Sequence, residues 1–384
     1  MQSGGCTNVL NRSLYGLASE FARTGSGTLF GAPHGFEGIL EGRSVNLSDV
    51  SEAQWAIVAD SPGAAIGSTR RRLRDDDVAP VFEYMGRLDI GCWFIIGGND
   101  SAETGHTLQT LADEQGYDLS VVNVPKTIDN DLVLTDHCPG YGSAARFIAL
   151  AVMGSGRDAE AMRGASPITV MEVMGRDAGW LAAASALARR DERDAPHIVC
   201  VPEVPVTEDD LLARAENAYA KYGFCVAVIS ENVRDPDGLP LGGQNDPWFI
   251  DDFGHPYYDG PARYLAGRIS RSLGVRARYE KPGTIQRSFV QAASESDLRE
   301  AEMAGRAAVS AIREGRRGVM ITLERDDTHD YNCYTGIASL EEVGGKVRPM
   351  PDSFLSKGEA FVTQDFIDYL KPLVGPLPIM GRLI

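Results

Sequence analysis

No run of apolar residues in this 384-residue chain reaches the roughly 18 needed to cross a bilayer, and its first residues lack the basic and apolar stretches of a secretion signal. Basic residues are in deficit: 37 Lys and Arg stand against 54 Asp and Glu, a formal net charge of −17. Such a surface repels polyphosphate backbones and anionic lipid, which argues against nucleic-acid and membrane partners. The six cysteines, Cys6, Cys92, Cys138, Cys200, Cys225 and Cys333, show neither CxxC nor Cys/His ligand spacing. They suggest no zinc site and no disulfide framework, so the cytoplasm is the expected compartment. His34, His106 and His137 likewise lack ligand spacing. No GxGxxG follows a strand with an acidic residue about 20 positions later, which disfavours a dinucleotide-binding oxidoreductase.

What remains is the composition of a folded protein, 43% hydrophobic and 24% charged. Its length predicts two α/β domains. Apolar runs of the buried-strand type fall at 90–96, 119–124, 168–173, 198–201 and 224–229, each ending near Gly or Pro, with helical patterns at 102–115 and 211–222 between them. This alternation predicts two doubly wound, Rossmann-like three-layer domains. In such sheets ligands bind beyond the carboxyl ends of the strands, so the turns after these runs are where chemistry is expected. Residues 232–260, dense in Asp, Pro and Gly, read as a surface excursion, and 341–377 is apolar enough to pack on a domain.

Two of these turns carry suitable groups. Gly97-Gly98-Asn99-Asp100-Ser101 follows the 90–96 run, and paired glycines let a phosphate approach the backbone and the positive end of the next helix. The plainer reading is a tight turn capped by Asp100 or Ser101. Pro125-Lys126-Thr127-Ile128-Asp129-Asn130-Asp131 follows the next run and holds Lys, Thr and two carboxylates within seven residues. Phosphoryl transfer needs charge neutralisation and a group that accepts or orients the attacking hydroxyl. Lys126 suits the first task and Asp129 the second, with Asp131 in support.

Here the sequence resembles the phosphofructokinase family, whose second phosphate turn reads Thr-Ile-Asp-Asn-Asp. The resemblance spans nearly the whole chain. Ser3-Gly4-Gly5 with Asn11 is similar to the family's first glycine turn, and Gly67-Ser68-Thr69-Arg70 to its phosphate-contacting arginine segment. Met174-Gly175-Arg176 resembles its sugar-phosphate loop, and Pro202-Glu203 the strand end whose glutamate holds sugar hydroxyls. Gly283-Thr284-Ile285-Gln286-Arg287 resembles its late phosphate motif, with Arg278 nine residues upstream. Arg71 and Arg72 match nothing in the family and read as ordinary surface charges. Where the family has its first strand, only Met1 and Gln2 precede the turn, and loss of that strand would leave apolar sheet edges open.

The resemblance implies phosphoryl transfer to the 1-hydroxyl of fructose 6-phosphate, with Mg2+ and a homo-oligomer, dimer or tetramer. It places the active site in a cleft between a donor domain, 1–140 plus about 286–336, and a sugar-phosphate domain, 141–285 plus about 337–384. ATP-using members resemble Gly-Gly-Asp-Gly-Ser at the first turn and have Gly before the threonine of the second. This chain has Asp100 and Lys126 there, as diphosphate-using members do. Carboxylate bulk at Asp100 crowds a nucleotide α-phosphate, and Lys126 compensates a compact inorganic anion. The expected diphosphate site is therefore Gly5, Arg70, Asp100 and Lys126. The expected sugar site is Thr127, Ile128, Asp129, Met174, Gly175, Arg176, Glu203, Arg278 and Arg287. Asp100 is the expected metal ligand, with Asn99, standing where the family has a carboxylate, as the second candidate. A diphosphate-driven step would be freely reversible and serve glycolysis and gluconeogenesis alike. The rivals are an ATP-dependent enzyme of the same family and a non-catalytic sugar-phosphate-binding subunit.

Overall fold

A computed structural model describes the chain except residues 243–246, 248, 253, 255, 258, 327–330, 357 and 384, and the side chains of 256 and 257. Part of the 232–260 excursion therefore lies outside the described residues. The chain divides into two units, one built from Met1–Tyr141, Asp251–His255 and Arg287–Arg348, the other from Gly142–Ile250, Pro256–Gln286 and Pro349–Ile384.

The first unit is organised by a six-stranded sheet in the spatial order Cys333–Ser339, Val319–Arg325, Ser120–Pro125, Cys92–Gly97, Gln2–Ser3, Ser68–Thr69. All neighbours run parallel except Val319–Arg325 with Cys333–Ser339, whose Leu323↔Thr335 register is antiparallel. Alternate residues of the central strands enter different cores, as the two-residue period of a strand requires. Phe94, Ile96, Val122, Val124, Ile321 and Leu323 pack with helices Leu10–Thr24 and Glu295–Arg313 through Leu10, Leu14, Leu17, Ala304 and Ala308. Trp93, Ile95, Val121 and Met320 pack on the opposite face with Phe36, Val81, Met85, Leu108 and Leu340. The sheet is thus covered on both sides.

The family's first strand is represented by two residues. Gln2 and Ser3 pair with Ser68 and Thr69, Gln2 also pairs with Ile96, and the Met1 ammonium donates to the Phe94 carbonyl at 2.7 Å. Alongside this short strand a cavity of about 440 Å³ is lined by Met1, Leu29, Phe30, Met85, Trp93 and Phe94, among others.

The second unit has a four-stranded, fully parallel sheet in the order Ala277–Glu280, Ile168–Val173, Cys225–Ser230, Ile198–Cys200. Ile168, Val170, Ala227 and Ile229 face Leu211, Ala215, Leu265 and Ile269. Trp180 packs with Phe354, Phe366 and Tyr369 from the last stretch of the chain.

The last crossing between units falls at Arg348–Pro349, later than the boundary near 336 that the sequence suggests. The reason is the antiparallel pairing of Cys333–Ser339 with Val319–Arg325, after which Leu340 and Val343 enter the first unit's core. Among the described residues no helix is long and apolar enough to cross a membrane.

Candidate active site

In the first unit the glycine turn and the second phosphate turn are brought together. The Cys92–Gly97 and Ser120–Pro125 strands are parallel neighbours with Gly97 opposite Pro125, so the turns that follow them emerge side by side. Lys126, next after its strand, is 3% exposed, and its Nζ donates to the Gly5 carbonyl at 2.8 Å. Burial, and then the positive charges of Arg287 and Arg70, lower the Lys126 ammonium to about 7, while Asp129 works in the opposite direction. A group poised that close to its titration point regains its proton, and with it its charge, when an anion arrives beside it.

Arg287 lies at the same place. A Cβ on Gly5 would come within 2.2 Å of Arg287 Nη1, so only a residue without a side chain fits beside that guanidinium. The late motif was expected to serve the sugar. Its arginine instead stands against the donor turn, because Arg287 opens the segment that returns to the first unit. Arg70, which follows the Ser68–Thr69 strand, pairs with Asp251 at 2.5 Å. The excursion thus contributes a carboxylate to this unit.

The turn carrying Asp129 is fixed by its own chemistry. The Asp129 N–H donates to Thr127 Oγ1 at 3.1 Å, and the Thr127 N–H to the Pro139 carbonyl at 3.2 Å. Asn130 adopts φ 54°, a left-handed conformation that asparagine tolerates better than most residues, and its Oδ1 accepts from the Cys138 N–H at 3.0 Å. Ile128 and Asp131 are buried, each 6% exposed, so the Ile128 side chain packs inward. Arg348, which carries no motif, donates to the carbonyls of Asn130 and Asp136 and through its N–H to that of Asp131. No sequence signal marks it, since these bonds are made to backbone atoms.

The first turn differs from its plain capping reading. Helix Asn99–Gln115 begins with Gly98 as N-cap and no side-chain cap, while Ser101 Oγ donates to Ser3 Oγ at 2.9 Å. Asn99 turns its amide to the carbonyls of Lys346 at 2.6 Å and Asp131 at 3.3 Å, a brace between the turns. Asp100 lies in the first helical turn and pairs with Arg72 at 3.2 Å. Arg72, about half exposed, remains a surface charge with an ion-pair partner. Arg71 is more than that, since its Nε and Nη2 bond the two oxygens of the buried Asp77. Asp100 belongs to one phosphate turn, and Asp129 and Asp131 to the turn that emerges beside it; carboxylates are the oxygen donors that a hard divalent cation takes alongside substrate phosphates.

In the second unit Met174, Gly175 and Arg176 follow the Ile168–Val173 strand, where the parallel sheet rule places ligands. Gly175 has φ 144°, and a Cβ there would meet the Ala178 carbonyl at 2.6 Å. Arg176 has φ 38°, a conformation costly for a residue with a side chain, and its N–H donates to Glu231 Oε1 at 3.3 Å. The Met174 N–H donates to Oε1 of the buried Gln286 at 3.1 Å. Thus the late motif supports the loop through Gln286.

Two expected sugar contacts sit differently. Glu203 accepts from the N–H groups of Gly179 at 2.9 Å and Met350 at 2.9 Å, so its carboxylate is bonded to backbone. Arg278 pairs in register with Thr169, four residues before the strand's end, and its guanidinium is bonded to Asp158. Five residues of strand separate that level from Met174, about 16 Å. Within one chain Arg278 is not brought to the loop.

A profile of the phosphofructokinase family matches residues 1–312. The chain is 36% identical to the pyrophosphate–fructose 6-phosphate 1-phosphotransferase of Rhodospirillum rubrum over 97% of this chain and 93% of that one. It is 30% identical to a sulfofructose kinase from Alkalicoccus urumqiensis over 94% of this chain and 92% of the relative. A crystal structure of a pyrophosphate-dependent phosphofructokinase from Marinobacter aquaeolei superposes with a TM-score of 0.88 at 32% identity, covering 99% of this chain and 92% of that one. With four-fifths of the chain inside the matched profile and such relatives aligned nearly end to end, the chain belongs to the phosphofructokinase family.

Proposed function

We propose that the chain transfers a phosphoryl group from inorganic diphosphate to the 1-hydroxyl of fructose 6-phosphate, giving fructose 1,6-bisphosphate and phosphate. The observation that supports this best is the buried Lys126 ammonium, 2.8 Å from the Gly5 carbonyl and beside Arg287. A desolvated cation between two turns suits a small, dense anion. Asp100 supports the same donor, since its carboxylate, tied to Arg72, occupies the position where ATP-using members resemble glycine.

Gly5, Arg70, Lys126 and Arg287 would hold the diphosphate. Asp129 would take the proton of the 1-hydroxyl as its oxygen bonds to the transferred phosphorus and the bridging P–O bond breaks, releasing phosphate. Asp131 and Arg348 keep the turn in place. Asp100 would hold Mg2+ together with donor oxygens, while Asn99 acts as a brace. When bound, Mg2+ supplies neutralisation of charge on the donor oxygens. Thr127, Met174, Gly175 and Arg176 would hold the sugar phosphate, Ile128 would reach it only through its backbone, and Glu203 shapes the loop through Gly179. Arg278, remote from its own loop, fits a contribution to a second copy in a homo-oligomer. Because no ATP anhydride is spent, the step is reversible and serves either direction of hexose metabolism.

A rate panel tests this reading: diphosphate against ATP as donor, and fructose 6-phosphate against sulfofructose and seven-carbon sugar phosphates as acceptor. Turnover with ATP alone would sink the donor assignment. Absence of turnover with every pair would favour a non-catalytic binding subunit. An Asp100→Gly variant with unchanged donor preference would remove Asp100 from donor selection.

A further inference from the structure

Away from the donor turns, one group of metal-ligating side chains converges among the described residues. His137, Glu300 and Cys333 each offer a ligand atom, and the three atoms lie within 4.8 Å of one another. They come from the loop after the Asn130 turn, the Glu295–Arg313 helix and the Cys333–Ser339 strand, all in the first unit. With His137 and Glu300 163 positions apart, no spacing rule in the sequence detects them.

The arrangement has the features of a built site. His137 and Glu300 are 2% and 1% exposed. Asp136 Oδ2 lies 2.8 Å from His137 Nδ1, which directs Nε2 at Glu300 Oε2, 2.7 Å away. A carboxylate behind the imidazole is the support that metal-bound histidines usually have, fixing the tautomer and raising the basicity of the ligating nitrogen. Asp136 is held in turn by Arg325 at 3.2 Å. The Tyr331 hydroxyl donates to Glu300 Oε1 at 2.7 Å and lies 3.4 Å from His137 Nε2.

We infer that His137, Glu300 and Cys333 form a site for a divalent transition metal of the zinc class, separate from the cation of phosphoryl transfer, with Tyr331 or a water as fourth ligand. An imidazole and a thiolate beside one carboxylate form a mixed N, S and O donor set that suits zinc and does not suit Mg2+, which takes oxygen ligands. Bonds of about 2.0–2.3 Å in a tetrahedron put ligand atoms roughly 3.3–3.8 Å apart. The His137–Glu300 contact must open, and Cys333 need close by at most about an ångström, which side-chain rotation supplies. Without metal, the same position between Asp136 and Glu300 suits a proton on His137, so proton and metal compete for one place. The bound ion would tie the loop that follows Asp131 to a core helix and the sheet edge.

The full chain, stripped by dialysis against a chelator and checked for folding by circular dichroism, is titrated with zinc against a chromophoric competitor and separately with Co2+. One zinc per chain, a thiolate-to-cobalt charge-transfer band and a rise in Tm with zinc are expected. Cys333 is only partly buried, so Cys333→Ser should fold; it should lose the band and bind zinc at least 10-fold more weakly. Asp136→Asn should weaken binding about 10- to 100-fold, as loss of such support does elsewhere. A folded wild-type chain that takes up no stoichiometric zinc overturns the inference. So does a Cys333→Ser variant that keeps the band and the affinity.

Discussion

Lys126 Nζ donates to the backbone carbonyl of Gly5 across 121 residues of sequence, at 2.8 Å. The bond joins the first glycine turn to the turn that carries Asp129, and it fixes Lys126 at the proposed donor site. Its consequences are measurable in several ways.

Protonation of Lys126 should follow ligand binding. Free Lys126 titrates at about 7, against 10.5 for the ordinary side chain. An anion beside it restores the charged form, so diphosphate binding at pH 8 should take up a fraction of a proton. Calorimetry in two buffers of different ionisation enthalpy measures the uptake, and Lys126→Met, which removes the group, supplies the baseline. Equal uptake by both proteins contradicts the assignment.

The same shift acts on stability. Between about 7 and 10.5 the unfolded chain keeps the Lys126 proton and the folded chain has released it. The unfolded state then binds more protons, so this residue's contribution makes stability rise with pH across that window and imposes its cost below it. Denaturant midpoints of wild type minus Lys126→Met, measured from pH 6 to 9, should increase with pH.

Gly5→Ala places a Cβ 2.2 Å from Arg287 Nη1. The guanidinium must move, and a misplacement of this size near the reacting groups costs on the order of 100-fold in kcat/KM. The loss should appear with diphosphate as the varied substrate while the melting temperature changes little. A variant with wild-type kinetics would show that Arg287 does not touch the donor.

Asp129→Asn keeps the shape of the turn and removes the proton acceptor. A kcat lowered by about 10²–10⁴-fold, with KM values near wild type, is expected of a general base. Steady-state rates in both directions check it, since the reverse reaction needs the same group as acid.

Glu203 discriminates between two roles. Its Oε1 accepts from both the Gly179 and the Met350 N–H groups, and Glu203→Ala leaves both without that acceptor, at a cost of about 1–3 kcal/mol for each. A loss of stability with an unchanged KM for fructose 6-phosphate fits the backbone role. A raised KM in a stable variant would return Glu203 to the sugar.

Much of this was legible beforehand, for physical reasons. The run 168–173 is buried on both faces of a parallel sheet, which writes itself as continuous apolar sequence, and the structure has a strand at those residues. The turn 125–131 could be read because its chemistry is local: Thr127, Asp129 and Asn130 bond within their own neighbourhood. What escaped depends on distant pairing. Val319–Arg325 and Cys333–Ser339 extend the first sheet by long-range register, and Arg348 acts on carbonyls that any residue provides. Arg278 had the right spacing to its motif, yet spacing carries no register, and pairing opposite Thr169 moved it away from the loop.

The interleaved division of the chain also orders its assembly in time. The Leu10–Thr24 helix shares its core with Glu295–Arg313, and Ser120–Pro125 finds its outer neighbour in Val319–Arg325. About 200 residues separate the end of the first segment from the end of the returning one, roughly 10–40 s of synthesis at ordinary ribosome speeds. For that interval the nascent first unit offers an unpaired strand edge and an uncovered helix face, so the amino-terminal half must wait for the carboxyl-terminal half. A ribosome-bound chain arrested before residue 319 should accordingly be protease-sensitive across its first 141 residues and resistant once 348 has emerged.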